Sequence, residues 1–356
     1  MQQRIAPVCA HFGACGGCAL QDLSPADYRA HKRNIVVEAL ARAGLSDAIV
    51  EDVIAVAPCT RRRASFKVAK SGGKTLIGFH AVKSHDIVDM HECHVLTPKL
   101  FALVASLREM MGAILHDGEK AELHVTEADN GFDVSLRWPR KTTTAIIAEI
   151  AKRAAAMNLA RVTSGGETLI ELVSPIVRFG KTDVKLPVEA FLQPTREGEA
   201  VLQSLVTDAL ADAKNIADLF AGCGTFTLKL AERARVHAVE LDAQMLNALS
   251  AATRTASGLK PVTTEKRDLF KQPLSPLELN GFDAILLDPP RVGASAQVNR
   301  ISQSRVKRVA YVSCNAASFA RDAQALVENG YRMGPVTPVD QFLWSEHIEV
   351  FAAFAR

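Results

Sequence analysis

The sequence has little of what marks the extreme protein classes. It holds 7 cysteines in 356 residues, too few for a disulfide framework. Its 21 glycines and 15 prolines exclude a collagen-like chain. No stretch approaches the roughly 18 consecutive apolar residues of a membrane span, so no membrane partner is expected. The N-terminal segment MQQRIAPVCAHFGACGG lacks the apolar core of a signal peptide. A cytoplasmic location follows as the expectation, and thiols stay reduced there. Nor does one sign of charge dominate. There are 42 Lys and Arg against 39 Asp and Glu, a net charge of +3, which does not by itself announce a nucleic-acid binder.

What is present is the mix of an ordinary soluble globular protein, 48% hydrophobic and 23% charged. That is enough apolar surface to exclude disorder as the main state. At about 150 residues per domain, the length suggests two domains. Charge is slightly uneven. Residues 1–100 carry 13 Lys and Arg against 9 Asp and Glu, and six of the ten histidines. A polyanionic partner is compatible with this surplus, and nothing implies an obligate protein partner.

The apolar rhythm divides the chain near Phe191. Residues 25–43 have a helical period, with Ile35, Val36, Ala39 and Leu40 on one face, Lys32, Arg33 and Arg42 on the other, and Gly44 as a stop. From 50 to about 180 the runs are short and strand-like: ASFKVAK, KTLIGFHA, AELHVTEA, GFDVSLRW and ETLIELV. Gly72-Gly73 and Asp129-Asn130-Gly131 mark hairpins between them. Helical stretches near 97–115 and 143–157 interrupt the strands. Residues 1–190 therefore read as a small antiparallel α+β domain. Residues 191–356 alternate helices with the buried apolar runs NIADLF, VHAVEL, FDAILLD and VKRVAYVS. That alternation predicts a doubly wound α/β domain with a parallel sheet, whose ligands sit beyond the carboxyl ends of the strands.

Three features of the second half carry chemistry. The strand at 216–220 runs into Ala221-Gly222-Cys223-Gly224-Thr225 and then a helix. Thr227 stands where a dinucleotide fingerprint needs its third glycine, and no Gly-Lys-Ser/Thr follows as in a P-loop. The pattern Asp218-x-Phe220-x-Gly222-x-Gly224 instead resembles the first motif of class I S-adenosylmethionine methyltransferases. Glu240, about twenty residues on, can hold ribose hydroxyls, and Asp268 lies after the third strand, where such enzymes contact adenine. Next, FDAILLDPPR ends its strand at Asp288, held toward the crevice by the rigid Pro289-Pro290 turn. Methyltransferases of exocyclic amines often carry Asn-Pro-Pro-aromatic here; Arg291 in the aromatic position argues against such a target. Finally, RVAYVSCN places Cys314 at a strand tip. An isolated buried cysteine is commonly structural, but one strand after Asp-Pro-Pro it suits ring-carbon methylation. C5 of a pyrimidine is a poor nucleophile until a thiolate adds at C6, and a general base must then remove the C5 proton. Glu349 and Glu346 are the candidate bases, and spacing does not choose between them.

The remaining pattern is Cys9-x5-Cys15-Gly-Gly-Cys18 with Cys93 far downstream. Zinc sites usually show two C-x2-C pairs. One tight pair with two outlying thiols favours an iron–sulfur cluster, with zinc and unrelated free thiols as alternatives. A bound metal would explain how residues 1–20 fold. Cys59 reads as structural and Cys223 as a turn filler. Arg61-Arg62-Arg63 is the densest charge run, either a solvated strand, a brace for the cluster or a phosphate contact. Arg29, Lys32 and Arg33 form a second candidate patch.

Together, C-x5-CGGC with Cys93, RRRA at 61–64, FLQP at 191–194, DLFAGCGTFT at 218–227, LLDPPR at 286–291, VSCN at 312–315 and HIEV at 347–350 resemble the bacterial RNA uracil-5-methyltransferases of iron–sulfur type. The resemblance spans essentially the whole chain. It implies a Rossmann-like class I methyltransferase domain preceded by a small α+β domain with a four-cysteine site. By resemblance, Cys314 is the nucleophile and Glu349 the base. Gln193, Phe220, Gly222, Thr225, Glu240, Asp268 and Asp288 lie at the S-adenosyl-L-methionine contacts, with Gln193 and Asp288 also bordering the flipped base. Cys9, Cys15, Cys18 and Cys93 match the ligands of a 4Fe–4S cluster. Thr225 and Asp268 stand where some members have Asn. Many members begin with an RNA-binding barrel for which Cys9 leaves no room, so the chain resembles the shorter ones. The implied substrate is an unpaired uridine in ribosomal RNA, with transfer RNA as the runner-up. RNA cytosine C5 methylation is a further alternative, but such enzymes carry a second cysteine by the Asp-Pro-Pro turn, and this chain has none there.

Overall fold

The computed structural model describes residues 3–356. Two sheets form the frame. Ahead of them come α1 (Pro25–Arg42), started by Pro25 and an Asp27 amide donating to the Ser24 hydroxyl, and a short strand β1 (Ile54–Ala55). The first sheet takes β2 (Arg63–Ser71), β3 (Lys74–His80), β4 (Ile87–Asp89), β5 (Lys120–Glu127), β6 (Phe132–Arg137), β7 (Leu159–Ser164) and β8 (Glu167–Glu171) in the order β4-β3-β2-β5-β6-β7-β8. The glycine pair 72–73 and the turn at 129–131 join hairpins as the sequence predicts. Helices α2 (Pro98–Ile114) and α3 (Thr144–Ala154) lie on one face of this sheet and form its core with Phe66, Val68, Leu123, Val125, Val134 and Leu136. Alternate residues turn to the other face, where Ser65 and Lys120 are exposed and Lys67, Glu122 and His124 partly so.

The expected purely antiparallel arrangement is corrected at one point. β6 and β7 are parallel, because α3 carries the chain back to the starting edge between them. A two-stranded hairpin, β9 (Ile176–Phe179) with β10 (Thr182–Lys185), then leads into the second half.

That half contains α4 (Arg196–Ala209), β11 (Asn215–Leu219), α5 (Thr227–Leu230), β12 (Arg235–Glu240), α6 (Ala243–Thr255), β13 (Val262–Lys266), α7 (Pro276–Leu279), β14 (Ala284–Leu287), α8 (Ser295–Ser302), β15 (Arg308–Ser313), α9 (Ala316–Glu328), β16 (Arg332–Met333), β17 (Thr337–Asp340) and β18 (Glu349–Ala355). The sheet order is β1-β17-β18-β15-β14-β11-β12-β13, with β16 also on β18. β13, β12, β11, β14 and β15 run parallel; β18 enters antiparallel between β15 and β17. The chain moves outward from β11 to β13 and returns to β14, so a topological switch point opens between β11 and β14. Apart from Asn215 at the start of β11, their residues are buried, as a sheet covered on both faces requires.

α1 and β1 precede residue 190 yet pack on this second sheet. Val36 and Leu40 join Phe319, Leu326 and Phe354 in one core, and β1 pairs with β17. Lys32 departs from its expected place on the solvent face. It is fully buried, its Nζ 2.8 Å from Asp340 Oδ1 and donating to the carbonyls of Phe342 and His347. Arg33 is likewise spent on the Val50 carbonyl, so the expected patch of Arg29, Lys32 and Arg33 does not form. Among the described residues no helix is long and apolar enough to cross a membrane.

Candidate active site

The carboxyl ends of β11, β12, β14 and β15 and the start of β18 meet at the switch point. A cavity of about 650 Å³ opens there, within the ordinary range for small-molecule sites. Gln193, Phe220, Gly222, Thr225, Glu240, Asp268, Asp288, Cys314 and Glu349 all line it. Glu346, the rival base, instead lies on the surface, 2.8 Å from His31 Nε2.

The glycine turn is shaped by backbone that side chains resist. Phe220 holds φ +68° and Gly224 φ +101°, and a Cβ on Gly224 would stand 2.6 Å from Leu249. Beneath the turn, Asp218 is fully buried and accepts from the Thr227 hydroxyl at 2.5 Å, tying β11 to α5. Burial pushes its carboxyl up to about 7. Glu240 accepts from the amides of Gly222 at 3.0 Å, Leu241 at 2.7 Å and Asp242 at 3.0 Å. Three amides fix the carboxylate while its four lone-pair sites leave room for a ligand hydroxyl. Asp268 is held similarly by the Phe270 amide at 3.0 Å.

The reacting end is acidic and enclosed. β15 and β18 pair Ser313 with Val350, so Cys314, in the bend after β15, and Glu349, the first residue of β18, come to the same end of the sheet. Burial pushes the Cys314 thiol up to about 11, with Glu349 and Asp288 adding to the rise and Arg291 opposing it. Burial also lifts Glu349 to about 7, against a 2.9 Å hydrogen bond donated by Gln341 Nε2. Asp288 is raised well above the usual carboxylate range by burial and by its neighbours Glu349 and Asp218. This end therefore suits a cationic ligand, whose charge would return these groups toward ionisation.

The opposite wall comes from the first sheet and is basic. Arg61, Arg63, Ser65, His124 and Thr126 line it, and Arg63 stacks on Phe191 at 5.0 Å. Nothing in the sequence marks Ser65, His124 or Gln341; they arrive by strand pairing and packing. The arginine run serves inside the fold. Arg62 is buried, 2.6 Å from Glu199 and 3.1 Å from the Gln193 carbonyl, while Arg63 donates to the Leu192 carbonyl. The segment carrying Gln193 is thus pinned to β2. From Ser65 the polar face of the first sheet continues outward. A cavity of about 620 Å³ takes in Ser65, Lys67 and His80. The next, of about 550 Å³, takes in Lys67, His80, Lys120 and Arg137.

Cys9, Cys15, Cys18 and Cys93 surround a separate cavity of about 380 Å³, which shares Arg61, Ser65, Phe342 and His347 with the first. Burial pushes the Cys18 thiol up to about 12, with Cys93, Cys15 and Cys9 adding to the rise. The expected metal site is not displayed as a closed ligand set. Among the described residues, no three His, Cys, Asp or Glu side chains converge as a single ion would need. The four thiols face a space instead of a point.

A doubly wound sheet with an antiparallel strand inserted beside the fifth parallel one, and a glycine turn and acidic strand tips at its switch point, defines a class I methyltransferase. Residues 181–355 match the family described as tRNA (Uracil-5-)-methyltransferase. The chain is 41% identical to an uncharacterized RNA methyltransferase of Rhizobium meliloti, over 99% of this chain and 86% of that one. It is 33% identical to the 23S rRNA (uracil(1939)-C(5))-methyltransferase of Aeromonas salmonicida, over 99% and 83%. In fold it is similar to the Pyrococcus abyssi tRNA (uracil-54, C5)-methyltransferase in complex with S-adenosyl-L-homocysteine, with a TM-score of 0.77, 20% identity and coverage of 99% and 86%. The chain belongs to the bacterial RNA uracil-5-methyltransferase family and is, with it, an RNA methyltransferase.

Proposed function

We propose that the protein methylates C5 of one uridine in RNA, 23S ribosomal RNA in the first place, using S-adenosyl-L-methionine. The observation that carries this reading is that Cys314, just past the end of β15, and Glu349, at the start of β18, line one cavity that also holds Glu240, Asp268 and Asp288. The 33% identity to an enzyme named for 23S ribosomal RNA supports the choice of RNA. Transfer RNA is the alternative. Cytosine is disfavoured because Asp288-Pro289-Pro290 lacks the second cysteine that RNA cytosine C5 methyltransferases carry at that turn.

In this reading Cys314 adds to C6 of the uracil as the thiolate, favoured by Arg291 and by a bound sulfonium. The electron pair displaced from the C5–C6 bond is delocalised onto O4. The methyl donor supplies an electrophilic methyl on sulfur and leaves as a neutral thioether. C5 gains the methyl while still carrying its hydrogen. Glu349 removes that proton, the C5–C6 double bond re-forms, and Cys314 departs as the thiolate it began as. Glu240 would hold the ribose, Asp268 the adenine side, Phe220, Gly222 and Thr225 the turn around the donor, and Gln193 with Asp288 the base.

We assign Cys9, Cys15, Cys18 and Cys93 as ligands of a 4Fe–4S cluster. Four thiols around a space fit a polynuclear group, one thiol to each iron, better than one tetrahedral ion. The division into residues 1–190, which face the RNA and hold the cluster, and 191–356, which transfer the methyl group, belongs to the same proposal, with α1 and β1 laid on the second part. Equal iron and acid-labile sulfide in anaerobically purified protein, falling in Cys93→Ser, tests the cluster.

The function is tested by digestion and mass spectrometry of ribosomal and transfer RNA from cells with and without the protein. Loss of a 5-methyluridine that maps to 23S ribosomal RNA is the expected result. Loss from transfer RNA moves the substrate, and loss of a 5-methylcytidine overturns the assignment of the base.

A further inference from the structure

The amide of Gln341 has no part in the chemistry described above, yet it sits where the base is read. It is 1% exposed. Its single Nε2 donates twice, to Glu349 Oε2 at 2.9 Å and to Gln193 Oε1 at 2.6 Å. An amide nitrogen carries two hydrogens, so both are used. The orientation is forced. A carboxylate accepts only, so while Glu349 is the base, Gln341 must turn its nitrogen toward it. Its other hydrogen then meets Gln193, which must answer with its oxygen. The NH2 of Gln193, a residue lining the cavity, is left as the group available to a ligand.

The fold makes room for this arrangement. Gln341 Oε1 is buried with no partner, the less favourable side of the same choice. It lies against Gly198 in the first turn of α4, where a Cβ would come within 2.7 Å of Oε1 and 2.8 Å of the Gln341 Cβ. An alanine there would displace the side chain.

We propose that Gln341 is a specificity-determining positioning residue: by fixing the amide of Gln193 with its NH2 toward the cavity, it selects the carbonyl at C4 of uracil against the amino group of cytosine. Uracil presents an acceptor at that atom and cytosine a donor. A donor held rigidly in place meets the first and opposes the second. Freed from Gln341, the Gln193 amide turns over at little cost and meets either base. The inference rests on the assignment of the uracil cavity and of Glu349.

The test uses full-length protein with S-adenosyl-L-homocysteine and two RNAs that differ only by U or C at the methylated position. Equilibrium binding gives the preference for U in the native protein and in Gln341→Met, which keeps the shape and loses the donor. We expect the preference to shrink about tenfold, the equivalent of one hydrogen bond to a base edge. Cofactor affinity and melting temperature serve as controls. Gly198→Ala, which keeps the glutamine but displaces its side chain, is expected to act in the same direction. In Gln193→Met the preference is already lost, and adding Gln341→Met should remove nothing more. Equal weakening of both RNAs, or an unchanged ratio in a folded Gln341→Met protein, overturns the proposal and leaves the uridine reading intact. A native protein that prefers the C-containing RNA overturns both.

Discussion

At the scale of the single residue, the proposed chemistry depends on carboxyl groups held away from water. The proposed base, Glu349, could act only when ionised, and burial has raised it to about 7. Methylation measured as kcat/KM should therefore rise with pH through about 7, where the carboxylate forms. Glu349→Gln should remove turnover and accumulate an RNA adduct on Cys314 that survives denaturation, because the C5 proton stays in place. Absence of the adduct on a denaturing gel would remove Glu349 from its role. The same burial has a consequence for stability. The unfolded chain ionises Glu349 near 4.3, the folded one near 7. With its folded value raised, the group costs stability progressively as pH rises from the first value to the second. The Gln variant is not subject to that cost. Its melting temperature should exceed that of the native protein at pH 8, and the gap should close toward pH 4.

At the scale of the element, α1 is more than a cover on the second sheet. Lys32 reaches through to Asp340 and to the carbonyls of Phe342 and His347, while Tyr28 donates to the same aspartate and accepts from the Trp344 amide at 2.8 Å. Those contacts fix the loop between β17 and β18, the loop that delivers Gln341 and Glu349. Lys32→Met strands a buried carboxylate and should cost about 3–5 kcal/mol in denaturant unfolding. The double change Lys32→Met with Asp340→Asn should recover much of it; failure to recover would show that the lysine acts through packing alone. The helical period in 25–43 is enough to find α1, but not to find this role. Periodicity sorts residues by average polarity, and a lysine whose partner lies 308 residues away gives no local signal. β7 is silent in the sequence for a related reason. LARVTS comes just after a helix, and its partner strand β6 lies before that helix, so no hairpin turn announces the pairing. β2, β3, β5 and β6, joined by hairpins with their own glycines, are all legible.

At the scale of the molecule, the two sheets face each other across one cavity, and each supplies part of its lining. The half built from strand tips is legible in the sequence, because Gly222, Gly224, Pro289 and Pro290 bring their turns with them and set Asp288 and Cys314 by spacing. The facing half is not, since Ser65 and His124 are ordinary strand residues until β2 pairs with β5 and aims both at the cavity, their side chains 2.7 Å apart. Beyond them the polar face of the first sheet runs on through Lys67, Lys120 and Arg137. The six steps from Arg63 to Ala69 correspond to about 20 Å at ~3.3 Å per residue, which is room for several nucleotides beside a uridine in the cavity. Glu122 and Glu189 offset part of the charge, pairing with Lys67 at 2.6 Å and Arg137 at 2.9 Å, but Lys120 has no carboxylate among its salt-bridge partners in the described residues. If flanking RNA lies along this face, its phosphates replace counterions there, and the affinity falls steeply with salt. Lys120→Glu combined with Arg137→Glu should then raise the KM for RNA at least tenfold, without changing the affinity for S-adenosyl-L-homocysteine, which binds some distance away. The slope of log affinity against log salt should become shallower by about 1–2, one step of ~0.7–0.9 for each phosphate that the variant no longer neutralises. An unchanged slope would mean that the RNA leaves the cavity by another route.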